Sequence, residues 1–238
     1  MTTKADLYTF ITAESHRADL SAEFDNFIRR AEQRIAREVR AVEMIQHTVL
    51  DDGDRIGESC TFELPLDFLE DISIIYGSDD IPLEAQHGNG KPITNKLTMH
   101  DIFSKSECGP VNSYALTSTD SGDSSGGGPK IIFKGKPPLY DPEVDLFNFF
   151  TVIYYARPLA LTAEDSENNI LTNHETLYIS ASLFELYRHT QDLELAQAQL
   201  DVFADAATKL NAQAGRFIGG TRMHGNQRTI GNPVTRSY

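Results

Sequence analysis

Ala196, Leu200, Phe203, Ala207, Leu210, Ala214 and Phe217 recur at alternating steps of four and three residues. Only a long helix that lays one narrow edge against another helix has this pattern, so it commits the C-terminal part of the chain to a helical bundle. A seam of this kind carries no chemistry of its own. Ahead of it, the segment from about Asn173 to His189 places Leu177, Ala181, Phe184 and Arg188 in helical register. Gly219 and Gly220 follow the seam and are expected to stop the helix, as glycine does just past a helix end.

The N-terminus repeats the helical texture. Phe24, Phe27, Ile28, Ala31, Ile35, Val39 and Val42 lie three or four apart after Ser21, a suitable N-cap. A shorter helix, Lys4 to Ala13 with Leu7, Phe10 and Ile11 on one side, completes a helical hairpin. The outer positions Arg29, Arg30, Arg34, Arg37 and Arg40 alternate with Glu32 and Glu38. Such a face is either solvated, with weak intrahelical pairs, or a contact with an acidic neighbour.

Between the two helical ends no stretch keeps helical period for three turns. Short β-prone pieces are expected as strands at Met44 to Leu50, Glu58 to Leu64, Ile72 to Tyr76, Ser113 to Thr117, Lys130 to Phe133 and Leu146 to Tyr155, with one short helix near Leu97 to Ser104. Ser118 to Pro129 has no apolar side chain to bury and reads as an exposed hairpin loop. The fold class is therefore α+β. An α-helical bundle formed by residues 1–43 and 157–218 carries an inserted β-rich domain, residues 44–156, and an extended C-terminal arm, residues 219–238.

A chain of 238 residues with 40% hydrophobic content can bury a substantial core. No run of about 18 apolar residues crosses a membrane and the N-terminus lacks a signal-peptide layout, so a soluble protein retained where it is made is expected. Cys60 and Cys108 stand far apart with no CxxC pairing, which leaves reduced, structural thiols as the expectation.

The formal net charge of −14 is unevenly spread. Residues 1–43 carry −1, residues 44–156 carry −11, residues 157–218 carry −5, and residues 219–238 carry +3 with no acidic side chain. The last segment, with Arg222, Arg228 and Arg236, is a chemically separate basic tail.

Catalytic motifs fail one by one. Gly88, Asn89, Gly90, Lys91 is close to a phosphate-binding loop, but Ala85 stands where the first glycine belongs and Pro92 where Ser or Thr would bind magnesium. His174, Glu175 begins like a zinc-protease helix, yet Tyr178 occupies the second histidine position. Asp51, Asp52, Asp54 and Asp79, Asp80 lack the alternating-oxygen loop closed by a glutamate that calcium requires. No Gly-x-Ser-x-Gly elbow is present. No catalytic residue, metal site or cofactor is expected.

Four segments in order, FDNFIRRAEQRIAREVR, LPLDFLEDISI, VIYYARPLAL and NNILTNHETLYISASLFELYRHTQDLELAQAQLDVFADAATKLN, are similar to head-to-tail adaptor (connector or neck) proteins of tailed bacteriophages, of the short-tailed type. The resemblance spans nearly the whole chain and rests on patterns of shape without catalytic residues. It implies a structural virion protein that docks as a ring, a dodecamer, under the portal protein, extends the DNA channel and offers a platform to tail or nozzle proteins. It places the protein in the virion neck after assembly in the host cytoplasm, with genomic DNA passing the lumen without sequence-specific binding and with no membrane contact.

The resemblance also gives the basic tail a partner. Arg222, Arg228 and Arg236 would meet acidic groups or carbonyls of the portal while Met223, Ile230, Val234 and Tyr238 enter apolar notches, the alternative being that the arm packs on its own subunit. The arginine helix, Arg29, Arg30, Arg34, Arg37 and Arg40, is the second candidate contact, with another subunit or the portal. Two rival readings share the lack of motif: a tail-tube or head-completion protein, and a tail-associated cell-wall hydrolase whose carboxylates would come from Glu58, Glu63, Asp67 and Glu70.

Overall fold

The change of period along the sequence becomes two compact units in the computed structural model, Met1–Met44 with Pro158–Tyr238, and Ile45–Arg157. The structure describes residues 3–50, 54, 56, 61–78, 91–104, 113–117, 128–134 and 148–226.

The first unit is helical. Helix α1, Lys4–Ser15, begins with a capping box in which the Thr3 hydroxyl accepts from the Asp6 N–H and the Asp6 carboxylate accepts from the Thr3 N–H. The N–H groups of Lys4 and Ala5 donate to the carbonyls of Ser166 and Glu164 at 3.0 Å, which satisfies helix-end donors that would otherwise be orphaned. The Lys4 ammonium lies 2.5 Å from Asp25, and the Tyr8 hydroxyl donates to the same carboxylate. Lys4 and then Tyr8 hold the Asp25 carboxyl below its ordinary range.

A 3-10 turn, Ala18–Glu23, runs straight into helix α2, Phe24–Glu38. Ser21 therefore lies inside the turn and is not the cap; Glu23 holds that position without a side-chain cap bond. The tighter turn supplies the i to i+3 bonds that a cap would replace. Phe24, Phe27, Ile28, Ala31 and Ile35 form its buried face.

A short helix precedes the one expected from about Asn173 to His189, which is found. Helix α4, Asn169–Asn173, is capped by Asn168, whose side-chain carbonyl accepts the Leu171 N–H at 2.8 Å. His174 leaves helical geometry, and helix α5, Glu175–His189, starts beyond it. The Asn168 amide also donates to the Leu159 carbonyl and to the buried Tyr178 hydroxyl, so one polar side chain ties the segment before α4 to α5. Burial pushes the Tyr178 hydroxyl pKa up.

Helix α6, Leu193–Asn226, buries the predicted seam at Ala196, Phe203, Ala207 and Ala214, with Leu200 and Leu210 half-buried and Phe217 exposed. It runs through Gly219 and Gly220, contrary to the expected stop. Glycine lowers helix preference by about 1 kcal/mol but does not forbid the conformation. The first eight residues of the expected arm, among them Arg222 and Met223, are thus helical.

The second unit is two four-stranded sheets. Among the described residues these are strands β1 Ile45–Leu50, β2 Thr61–Glu63, β3 Phe68–Ser78, β4 Lys91–Pro92, β5 Asn95–Lys96, β6 Ser113–Thr117, β7 Lys130–Lys134 and β8 Asn148–Ala156, with a short helix, α3 Met99–Ser104, between β5 and β6. The orders are β1-β8-β3-β4 and β2-β7-β6-β5, with β5 and β6 parallel and the other pairs antiparallel. Leu50, Ile74, Phe150 and Val152 of one sheet and Phe62, Tyr114, Ile131 and Phe133 of the other share one core. Thr117 pairs with Lys130 across the hairpin whose loop, residues 118–127, lies outside the described residues, as do Cys60 and Cys108.

Strand β3 begins four residues before its expected start at Ile72, because two β-bulges, at Leu69 and Ile72, break the alternation that marks a strand. Between the bulges Asp71 is almost fully enclosed, and accepts from the Tyr114 hydroxyl and the Lys96 ammonium, both at 2.5 Å. This ties the sheets together by charge-assisted bonds.

Candidate functional site

Helices α2 and α6 both pack along α5, and the arginines of α2 divide between that packing and the surface. Arg34 turns inward. Its side chain is 15% exposed and its guanidinium lies 3.3 Å from the Glu185 carboxylate of α5, itself only 5% exposed, and 3.6 Å from Glu38. The guanidinium plane covers the Phe184 ring at 4.4 Å and approaches Phe203 of α6 at 6.0 Å. Arg30 and Arg188 reach Glu185 from outside at 3.9 Å each. One buried carboxylate therefore gathers three arginines, and Arg34 is part of the core.

Arg40 is also structural. Its guanidinium donates to the carbonyls of Ala36 and Val39 at the end of α2, while its N–H donates to Asn211 of α6 at 2.6 Å. Asn211 returns a bond to the Glu38 carbonyl. Arg29 and Arg37 are exposed and, among the described residues, make local contacts, Arg29 with Asn26 and Arg37 with Glu38. Arg29, Arg30 and Arg37 are thus the members of the predicted arginine face available to a partner, and sequence spacing alone did not separate them from Arg34 and Arg40.

Beyond the arginine helix, α6 carries Leu195 and Val202 on one flank of the seam, 45% and 46% exposed, and the exposed acids Glu194, Asp201 and Asp205 on the side turned away from it. The seam marks a different edge of the helix, so apolar spacing gives no sign of this surface. In the predicted C-terminal arm, Arg222 and Met223 lie on α6, while Arg228, Ile230, Val234, Arg236 and Tyr238 fall outside the described residues.

The groups with perturbed acidity serve structure. Burial pushes the Glu32 carboxyl up, against the 2.7 Å bond from the Leu161 N–H and the charge of Lys4. His174 Nε2 lies 3.1 Å from Glu43, a pair that links the start of α5 to the turn before β1. Of the carboxylates weighed for a hydrolase, Glu63 lies on β2, Glu70 on β3, and Asp67 accepts from the Tyr154 hydroxyl at 3.2 Å; Glu58 is outside the described residues. Among the described residues no cluster of three or more His, Cys, Asp or Glu is placed to hold a metal, and no helix is long and apolar enough to cross a membrane.

A family model described as SU10 adaptor protein matches residues 2–229. No curated protein matches the sequence. The family match takes in both helical ends and the β-rich middle, the same order of elements on which the resemblance to phage adaptors was drawn. With nearly its whole length matched, the chain belongs to the SU10 adaptor family and is a structural adaptor protein of a bacteriophage.

Proposed function

We propose that this protein docks as a ring, a dodecamer, beneath the portal protein of the capsid vertex, extends the DNA channel and gives tail or nozzle proteins their platform. The observation that carries the reading is the family match over residues 2–229. Its work is mechanical: a helical unit held by its core and by the buried Arg34–Glu185 pair supplies stiffness, and the β unit supplies surface. The excess of −11 over residues 44–156 suits a lumen, because repulsion from DNA phosphates lets the duplex slide where a basic wall would hold it. In this reading the protein sits in the virion neck after assembly in the host cytoplasm. An image of the native particle tests it, since a position between portal and tail separates an adaptor from a tail-tube or head-completion protein.

The portal anchor is the basic C-terminal segment from Gly219 onward. It holds Arg222, Arg228 and Arg236 without an acidic residue, next to Met223, Ile230, Val234 and Tyr238. Deleting Thr221–Tyr238 is expected to leave the circular dichroism of the body nearly unchanged while abolishing binding to isolated portal rings. Binding of the intact chain should weaken as salt rises, because exposed pairs are screened beyond about 10 Å at 0.1 M ionic strength. Unchanged affinity of the truncated chain would remove the anchor role.

Ring closure is expected to need the portal as template. The exposed helix positions carry scattered apolar side chains among charged ones, which suits polar, non-obligate contacts. Mass measurement of the purified chain should find a monomer or weak association at micromolar concentration, and closed rings only with portal present. A stable ring of the chain alone would contradict templated closure.

A further inference from the structure

The geometry points to one subunit interface of the ring: the outward face of α6 receives the exposed arginines of α2 from the next copy. This rests on the ring reading and names the surfaces that would build it. On α6, Leu195 and Val202 stand seven residues apart on one side, nearly half exposed, with Ala198 between them. Glu194, Asp201 and Asp205 border this strip. Two large apolar side chains edged on one side by acids have the make-up of a small interface, an apolar strip beside a charged one.

The complementary surface is on α2. Arg29, Gln33 and Arg37 follow one another at four-residue steps and all three are exposed. Arg29 and Arg37 are separated by roughly 12 Å, and Glu194 and Asp201 by roughly 10 Å, at a rise of about 1.5 Å per residue. The spacings match well enough for both ends to pair at once. Arginine stems can cover Leu195 and Val202 while their guanidinium groups reach the acids, as long basic side chains do on apolar surface.

Placement on the helical unit agrees. Helix α5 is buried along most of its length and α2 and α6 both pack on it, so the two outward faces look away from α5. A head-to-tail contact needs two different surfaces on each copy, which these supply. The present partners of the charges, Asn26 for Arg29, Glu38 for Arg37, Gln197 for Asp201 and Lys209 for Asp205, are exposed local contacts that exchange at little cost.

The test uses the full chain with charge reversals on either face, Arg29→Glu with Arg37→Glu, and Glu194→Lys with Asp201→Lys, and a fourth protein carrying both sets. Two readouts are taken: cooperativity of binding to isolated portal rings, and self-association without portal by sedimentation at low salt. Each single-face set is expected to remove cooperativity and to weaken self-association by about tenfold or more, since attraction becomes like-charge repulsion. The combined set should restore both. Circular dichroism checks that the variants fold, and Leu195→Ser with Val202→Ser provides a second, uncharged route to the same loss.

If wild-type chains fill portal sites cooperatively and neither single-face set alters this, the interface is wrong while the ring stands. Should the α6 variants instead lose affinity for each portal site with cooperativity intact, the face docks another protein and the proposal falls. Failure of the wild type to bind portal at all would sink the ring reading. Self-association then decides the interface separately, and its insensitivity to both sets would overturn it.

Discussion

Replacing Glu185 by alanine is expected to cost roughly 3–5 kcal/mol of stability, the range found when one partner of a buried ion pair is removed. The reason lies in what remains. Arg30 and Arg188 are more than half exposed and return to water, but Arg34 is enclosed between Phe184 and Phe203 and cannot. Glu38, at 3.6 Å and more exposed than Glu185, compensates only in part. Urea denaturation followed by far-UV circular dichroism measures the loss, and a cost below about 1 kcal/mol would show that the pair contributes little.

Companion variants separate the buried charge from the surface ones. Arg30→Ala and Arg188→Ala should each change stability by about 0–1 kcal/mol, as exposed pairs do. Glu185→Gln should cost less than Glu185→Ala, because an amide oxygen still accepts from Arg34. Replacing Arg34 and Glu185 together by apolar residues should recover most of the loss, since no charge is then left buried. If the double replacement is as unstable as Glu185→Ala, packing rather than charge dominates the site.

This pair also marks how far the sequence could be read. Local period revealed the helices and most strands: β6 was expected and found at Ser113–Thr117, and α3 falls within its expected span. The misses arise where a non-local or irregular feature overrides period. Leu69 and Ile72 bulge out of β3 and hide its first residues, and α4 is too short, at five residues, to show a period of its own. Gly219 and Gly220 were given more stopping power than glycine has inside a long helix. Arg34 looked like any other member of the arginine face, because its partner Glu185 lies 151 residues away. Spacing can show that a side chain sits on a helix edge, but only the fold shows what covers that edge.

The β unit has its own weak point, and Phe150→Ala is expected to cost it about 3–5 kcal/mol, the range for aromatic truncation in a packed core. Phe150 on β8 stacks on Phe133 of β7 with ring centroids 3.9 Å apart and planes 13° from parallel. It also meets Phe62 of β2 edge-on at 5.6 Å, and Phe62 meets Phe133 at 5.7 Å. Truncating Phe150 removes the ring that joins one sheet to two strands of the other, and with it two aromatic contacts worth about 0.5–1.5 kcal/mol each beyond area burial. Phe150→Leu keeps most of the volume and should cost much less. The chain has no tryptophan, so hydrogen exchange read by peptide is the better probe than fluorescence. Peptides from 61–78, 130–134 and 148–156 should exchange faster in Phe150→Ala while those from 175–210 keep their protection, because the helical unit has a core of its own. Equal acceleration everywhere would mean that the two units unfold as one, and no acceleration in the β peptides would show that the three-ring cluster does not hold the sheets together.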